Sequence, residues 1–181
     1  KSVFEYTLAY GEETVVLRCP HNHAPQVIEG RPQKPCTDIA AAARKALAAP
    51  IGAAPLKEIV GPDQTVAVIV SDITRQWLRY DLFLPVLLDA LNEAGVPDDK
   101  ITLVVALGAH RPQSEAEHAV VYGEEAVRRA KLVQSRVQAQ DAYEYIGTTT
   151  RGTPVSLNKA VLSADKVILT GGITYHSMAG F

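Results

Sequence analysis

The spacing of apolar positions changes several times along the chain. Residues 1–10 alternate apolar and polar side chains, as a strand does. Residues 3–8 and 14–17 are β-rich runs on either side of Ala9-Tyr10-Gly11-Glu12, the pattern of a hairpin. Residues 18–35 are rich in Pro, His, Asn and Gly and read as a loop. Thr37 or Asp38 then caps an Ala-rich helix through Ala48, which Pro50 stops, and residues 56–60 add a further helical turn. Residues 65–70 form a continuous β-branched run, as in a strand buried on both faces. Helical periodicity follows over 82–94 and stops at Gly95. Residues 101–107 make a second buried strand. Ser114 opens a helical region through 121, continued by 124–130. Residues 143–148 and 153–157 pair around Arg151-Gly152, and 166–170 make a third buried strand. This alternation predicts an α/β fold: a Rossmann-like parallel sheet flanked by helices on both faces, with N-terminal and late β-hairpins.

Composition narrows the class of function. The 181 residues are 47% hydrophobic and 21% charged, which suits one globular domain or one lobe of a larger enzyme. Eighteen basic and twenty acidic residues leave a formal charge of −2, so no basic field invites nucleic acid or an anionic membrane. Aromatic residues make up only 6%, too few for base-stacking platforms. No apolar run approaches the roughly 20 residues of a membrane span. Cys19 and Cys36 do not form a disulfide framework, although one bridge between them stays open, and a reducing cytoplasm is the expected location. The last residues, from Thr170 to Phe181, read as the start of a functional loop. The chain is therefore expected to be the first part of a longer protein.

Each of the three predicted core strands runs into a loop with chemistry. The first leads to Ser71-Asp72-Ile73-Thr74-Arg75, the second to Gly108-Ala109-His110-Arg111-Pro112, and the third to Gly171-Gly172-Ile173-Thr174-Tyr175-His176. Ligands of open α/β sheets bind outside the carboxyl ends of the strands, and parallel strands put all three loops on one edge. Asp72, Arg75, His110, Arg111 and His176 are thus expected to converge. Asp72 and Thr74 also suit helix caps. Gly171-Gly172 would let backbone amides approach a phosphate. Cys19, His21, His23 and Cys36 lack the spacing of a structural zinc site, and no metal ligands are assigned. His118 reads as a solvated face residue. Neither a dinucleotide fingerprint, a phosphate-binding P-loop nor a nucleophile elbow is present.

Three motifs together carry a resemblance. Ser71-Asp72-x-Thr74-Arg75, Gly108-x-His110-Arg111-Pro112 and His176-x-x-Ala179-Gly180-Phe181 resemble the nickel-pincer lactate racemase family, and Ala49-Pro50-Ile51-Gly52 resembles that family's Asn-Pro-Ile-Gly. The likeness covers most of the chain. It implies that residues 1–181 are the N-terminal catalytic domain, with a C-terminal lobe outside this sequence. It further implies a racemase or epimerase of a small 2-hydroxy acid, working through a nickel-pincer nucleotide. That cofactor's tethering lysine and a later metal-binding histidine would lie beyond Phe181. By motif, His110 and His176 correspond to the catalytic pair. Asp72, Thr74, Arg75, Arg111, Gly171 and Gly172 would face cofactor or substrate. Ile73 and Gln76 replace the histidine and proline frequent in the first motif, and Tyr175, Ser177 and Met178 replace more aromatic neighbours in the third.

The implied chemistry gives two histidines distinct work. A C2 proton beside a carboxylate is too weakly acidic for unaided removal, whereas loss of hydride yields a stable keto acid. One histidine takes the hydroxyl proton and the other serves the opposite face. Two other readings stay open: an anion- or nucleotide-binding protein without turnover, and a metal-dependent hydrolase using His110 and His176 as ligands.

Overall fold

A computed structural model describes residues 3–23, 26, 28, 30–176, 178 and 180. Ser177, Ala179 and Phe181 of the third motif lie outside the described residues, as do Lys1 and Ser2. The chain forms two units, residues 1–35 and 36–181.

In the first unit, β1 (Val3–Tyr10) and β2 (Glu13–Pro20) pair antiparallel, from Val3 opposite Pro20 to Tyr10 opposite Glu13. Gly11 takes the left-handed φ of 62° that the tight turn requires. β1 runs two residues past its β-rich run, β2 starts one residue before and ends three after its own, and a single 3₁₀ turn, His21–His23, follows.

The second unit starts with α1 (Ile39–Ala48), capped by the Asp38 carboxylate accepting from Ala41 N at 2.8 Å, and α2 (Leu56–Ile59). Its centre is a parallel sheet of β3 (Val66–Ser71), β4 (Ile101–Gly108), β5 (Lys131–Arg136) and β8 (Lys166–Leu169), in the order β5-β4-β3-β8. Val66 lies beside Ile101 and Ser71 beside Ala106, so β3 and β4 start level and β4 runs two residues further. The connections are α3 (Tyr80–Glu93) between β3 and β4, and α4 (Glu115–Tyr122) with α5 (Glu124–Arg129) between β4 and β5. Gly123, at φ 83°, separates those last two helices. The late hairpin is β6 (Tyr143–Thr148) with β7 (Pro154–Asn158), followed by the short α6 (Lys159–Leu162).

Alternation within the strands explains where the core sits. Val66, Val68 and Val70 of β3 and Ile101, Leu103, Val105 and Leu107 of β4 share one face. They meet Tyr80, Leu84, Leu88 and Leu91 of α3, Val121 and Tyr122 of α4, and Ala126 of α5. Ala67 and Val104 are buried as well, which is why both segments read as unbroken apolar runs.

Three expectations change. The sheet has a fourth strand, β5, which the sequence disguises with Lys131, Gln134, Ser135 and Arg136, since a half-exposed edge strand tolerates polar residues. The third strand is not buried: β8 lies at the opposite edge, with Val167 and Leu169 44% and 79% exposed. His118 is not solvated but 8% exposed, on the core side of α4 beside the Tyr122 ring. Smaller differences are that α3 starts two residues before the periodic run and that α6 carries too little pattern to be read. Cys19 and Cys36 are free thiols.

Candidate active site at the strand ends

The strand order reverses between β3 and β8. From β3 the chain steps outward to β4 and β5, then returns to β3's other side. Loops leaving strands on either side of such a reversal border a crevice. The three motif-bearing loops leave β3, β4 and β8.

Two of these loops are joined by a side-chain bond. Asp72 follows β3 with extended backbone and caps a 3₁₀ segment, Ile73–Leu78. Its Oδ1 accepts from Thr74 N at 2.9 Å and Thr74 Oγ1 at 2.5 Å, and its Oδ2 is bonded to His110 Nδ1. The Asp72 side chain is 4% exposed, whereas that of His110 is 52% exposed. Burial pushes the Asp72 carboxyl up, but the hydrogen bonds from Thr74 and His110 outweigh it and hold it below the ordinary carboxylate value. The carboxylate is therefore ionised at neutral pH and accepts Nδ1–H. That fixes the neutral His110 ring as the tautomer whose Nε2 carries a lone pair.

The third loop meets the first through a glycine. A Cβ at Gly172 would overlap Leu78 Cδ2 and come within 2.8 Å of Trp77 Cη2. Only a bare backbone lets the β8 loop lie against the 3₁₀ segment that Asp72 caps. Gly171 has no neighbour that an added Cβ would meet within 4 Å. Further along, His176 pairs its backbone with Gly180, and its Nδ1 accepts from Met178 N at 3.1 Å. A neutral His176 ring therefore carries its hydrogen on Nε2, the complement of His110.

The two arginines differ. Arg75 Nη1 donates to Thr74 O at 3.3 Å and Thr74 Oγ1 at 3.2 Å, and among the described residues it pairs with no carboxylate. Arg111 forks onto Glu117 at 2.6 and 2.9 Å and also reaches Pro112 O. That fork, with the Ser114 backbone, pulls Glu117 down to about 2. Ser114 and Glu117 close a reciprocal cap on α4, which the Ser-x-x-Glu spacing signals in the sequence. Arg111 thus braces the His110 loop onto α4, whereas the Arg75 guanidinium bonds Thr74 and, among the described residues, no anion.

Other regions converge on less. A cleft of about 650 Å³ among α1, α2 and α3 is lined by Arg44, Leu47, Leu56, Lys57, Asp89 and Glu93. It brings no histidine or nucleophile together. No group of three or more His, Cys, Asp or Glu able to hold a metal occurs among the described residues, the Cys19–His23 stretch included. None of the described helices is long and apolar enough to cross a membrane.

An open parallel α/β sheet carries an Asp–His pair and, among the described residues, an arginine without a carboxylate partner at its carboxyl edge. Residues 10–181 match the family described as the lactate racemase N-terminal domain, and the chain belongs to that family. It is 33% identical over 137 residues to the lactate racemase of Lactiplantibacillus plantarum, covering 76% of this chain and 32% of the relative. The lactate racemase of Thermoanaerobacterium thermosaccharolyticum is 29% identical over 138 residues, with the same shares. The solved lactate racemase apoprotein from that organism superposes with a TM-score of 0.79 at 23% identity, covering 96% of this chain and 40% of that one. The chain thus spans about a third of the length of these curated relatives.

Proposed function

We propose that this domain supplies the proton-handling residues and the anion site of a 2-hydroxy-acid racemase or epimerase. The observation that carries the reading is the buried Asp72 carboxylate bonded to His110 Nδ1 just beyond the carboxyl ends of β3 and β4.

The residues divide the work. Asp72 stabilises the imidazolium that forms when His110 Nε2 takes the substrate hydroxyl proton. His176, on the β8 loop and in the opposite tautomer, serves the other face of the planar keto acid. Racemisation needs both faces, and two histidines on separate loops meet that need. Arg75 offers a planar fork to a substrate carboxylate or to an anionic group of the cofactor.

The nickel-pincer nucleotide implied by the family fits these residues. An anionic nucleotide finds a cationic fork in Arg75 and bare backbone at Gly171. When bound, that group would supply the hydride acceptor. Thr74, Arg75, Gly171 and Gly172 would hold it on this side.

The assay uses protein carrying this domain at the full length of its relatives, loaded with cofactor and given single enantiomers of several 2-hydroxy acids. Loss of optical activity with at least one substrate is expected. Tight binding of substrate and cofactor with no loss of optical activity across the panel would support a storage or carrier protein instead.

A further inference from the structure

Two buried tyrosines grip the residue just before Asp72. Ser71 N donates to Tyr80 Oη at 2.9 Å, and Tyr122 Oη lies 2.9 Å from Ser71 O. Both rings are 0% exposed and meet edge to face at 5.9 Å. Tyr122 Oη also lies 3.0 Å from the side-chain amide of Gln113, three residues beyond His110. The backbone of Gln113 is held in turn from β5. Its N donates to Gln134 Oε1 at 2.7 Å, and Gln134 Nε2 donates to its O at 2.9 Å. A single buried hydroxyl therefore links the backbone next to Asp72 to the loop that carries His110.

The polarity of this link follows from counting hydrogens. Tyr122 has one hydroxyl hydrogen and cannot serve two oxygen acceptors. Ser71 O has no hydrogen to give, so it must receive. The Gln113 amide then presents Nε2 to Tyr122, in the exchanged orientation that only the hydrogen-bond network can assign. In either orientation one side-chain polar atom of Gln113 stays buried without a partner among the described residues, so the hydroxyl hydrogen count alone decides. The relay runs Gln113 Nε2–H to Tyr122 Oη, then Tyr122 O–H to Ser71 O.

We propose that Tyr122 is a positioning residue for the Asp72–His110 pair, with Gln113 and Gln134 as its support. The inference rests on the function proposed above. Aspartate and histidine arrive on loops from different strands, and their bond fixes a tautomer only while the two loops keep their spacing. Tyr122 sets that spacing from inside the core, out of substrate reach.

The test is nitrogen-15 spectroscopy of the histidine rings in this chain, which reads tautomers directly and needs neither cofactor nor substrate. Wild-type His110 is expected as the Nδ1–H tautomer. Asp72→Asn is the control. Thr74 N holds the side-chain oxygen, so the amide nitrogen faces His110, and the ring is expected to switch to Nε2–H. Tyr122→Phe, with its fold verified by circular dichroism, is expected to yield a mixture of tautomers. A purely structural role would lower the melting temperature and leave the tautomer untouched. That result overturns the proposal while the Asp72–His110 pair stands. No switch in Asp72→Asn overturns both. Should Tyr122→Phe fail to fold, Gln134→Met gives the same readout, with a tautomer mixture in support and a wild-type ring against.

Discussion

Asp72 uses both carboxylate oxygens, one on Thr74 and one on His110, so replacing it changes two things at once. Asn at this position keeps the cap but turns a donor toward His110 Nδ1. In the full-length enzyme, Asp72→Asn should lower kcat by about 10²–10⁴-fold, the usual worth of a positioned general base, with KM little changed. An unchanged kcat would remove Asp72 from the mechanism. Arg75 predicts a different signature. Lysine keeps the charge but loses the fork. Hydrogen bonds to charged groups are worth about 1.5–3 kcal/mol, so Arg75→Lys should raise KM about tenfold or more. Steady-state kinetics separates the two cases. The convergence of Asp72 and His110 is legible in the sequence because each directly follows a β-branched run. The pairing of Arg111 with Glu117 is not: Arg111 reads as a site residue, and the Ser114-x-x-Glu117 spacing signals a helix cap without its arginine partner. Tyr80, Tyr122, Gln113 and Gln134 give no such signal. A buried tyrosine at helical spacing looks like any core aromatic, and its hydroxyl partner is set by tertiary packing alone.

Between elements, the contact of the β8 loop with the 3₁₀ segment depends on one missing side chain. Gly172→Ala forces a methyl group into Leu78 and Trp77, an overpacking of about 1–3 kcal/mol. Trp77 is the only tryptophan in the chain, so its emission reports the contact. Both the melting temperature and the emission maximum should shift, and neither moving would show that the loop does not rest there. Helix α4 carries a pH dependence of its own. Burial pushes His118 below its ordinary value, outweighing Glu115 and Glu117, which pull it up. The unfolded chain then binds the proton first. Stability should rise with pH up to about 6.5 and level off above it. His118→Phe should abolish that slope in denaturant titrations, and an identical slope in the variant would place its origin elsewhere. Periodicity alone assigns His118 to a solvent face. The short α4 has too few apolar residues to show which side faces the sheet. The same weakness hides β5, where polar Gln134 and Ser135 interrupt an edge strand.

At the scale of the molecule, the parallel sheet places chemistry that the sequence scatters over a hundred positions. Asp72 and His110 are 38 residues apart, yet adjacent parallel strands put them within a hydrogen bond. The family relatives are more than twice as long as this chain, so the activity proposed above is to be tested in a polypeptide of that length. Two histidines serving two faces are the core of the proposed mechanism. The most direct measurement is the initial rate of racemisation from each enantiomer, in the cofactor-loaded full-length enzyme and in its His110→Ala and His176→Ala variants. Wild type should interconvert the enantiomers in both directions, and each variant should lose interconversion while retaining its fold. Full rates in both directions after either substitution would contradict the two-histidine mechanism.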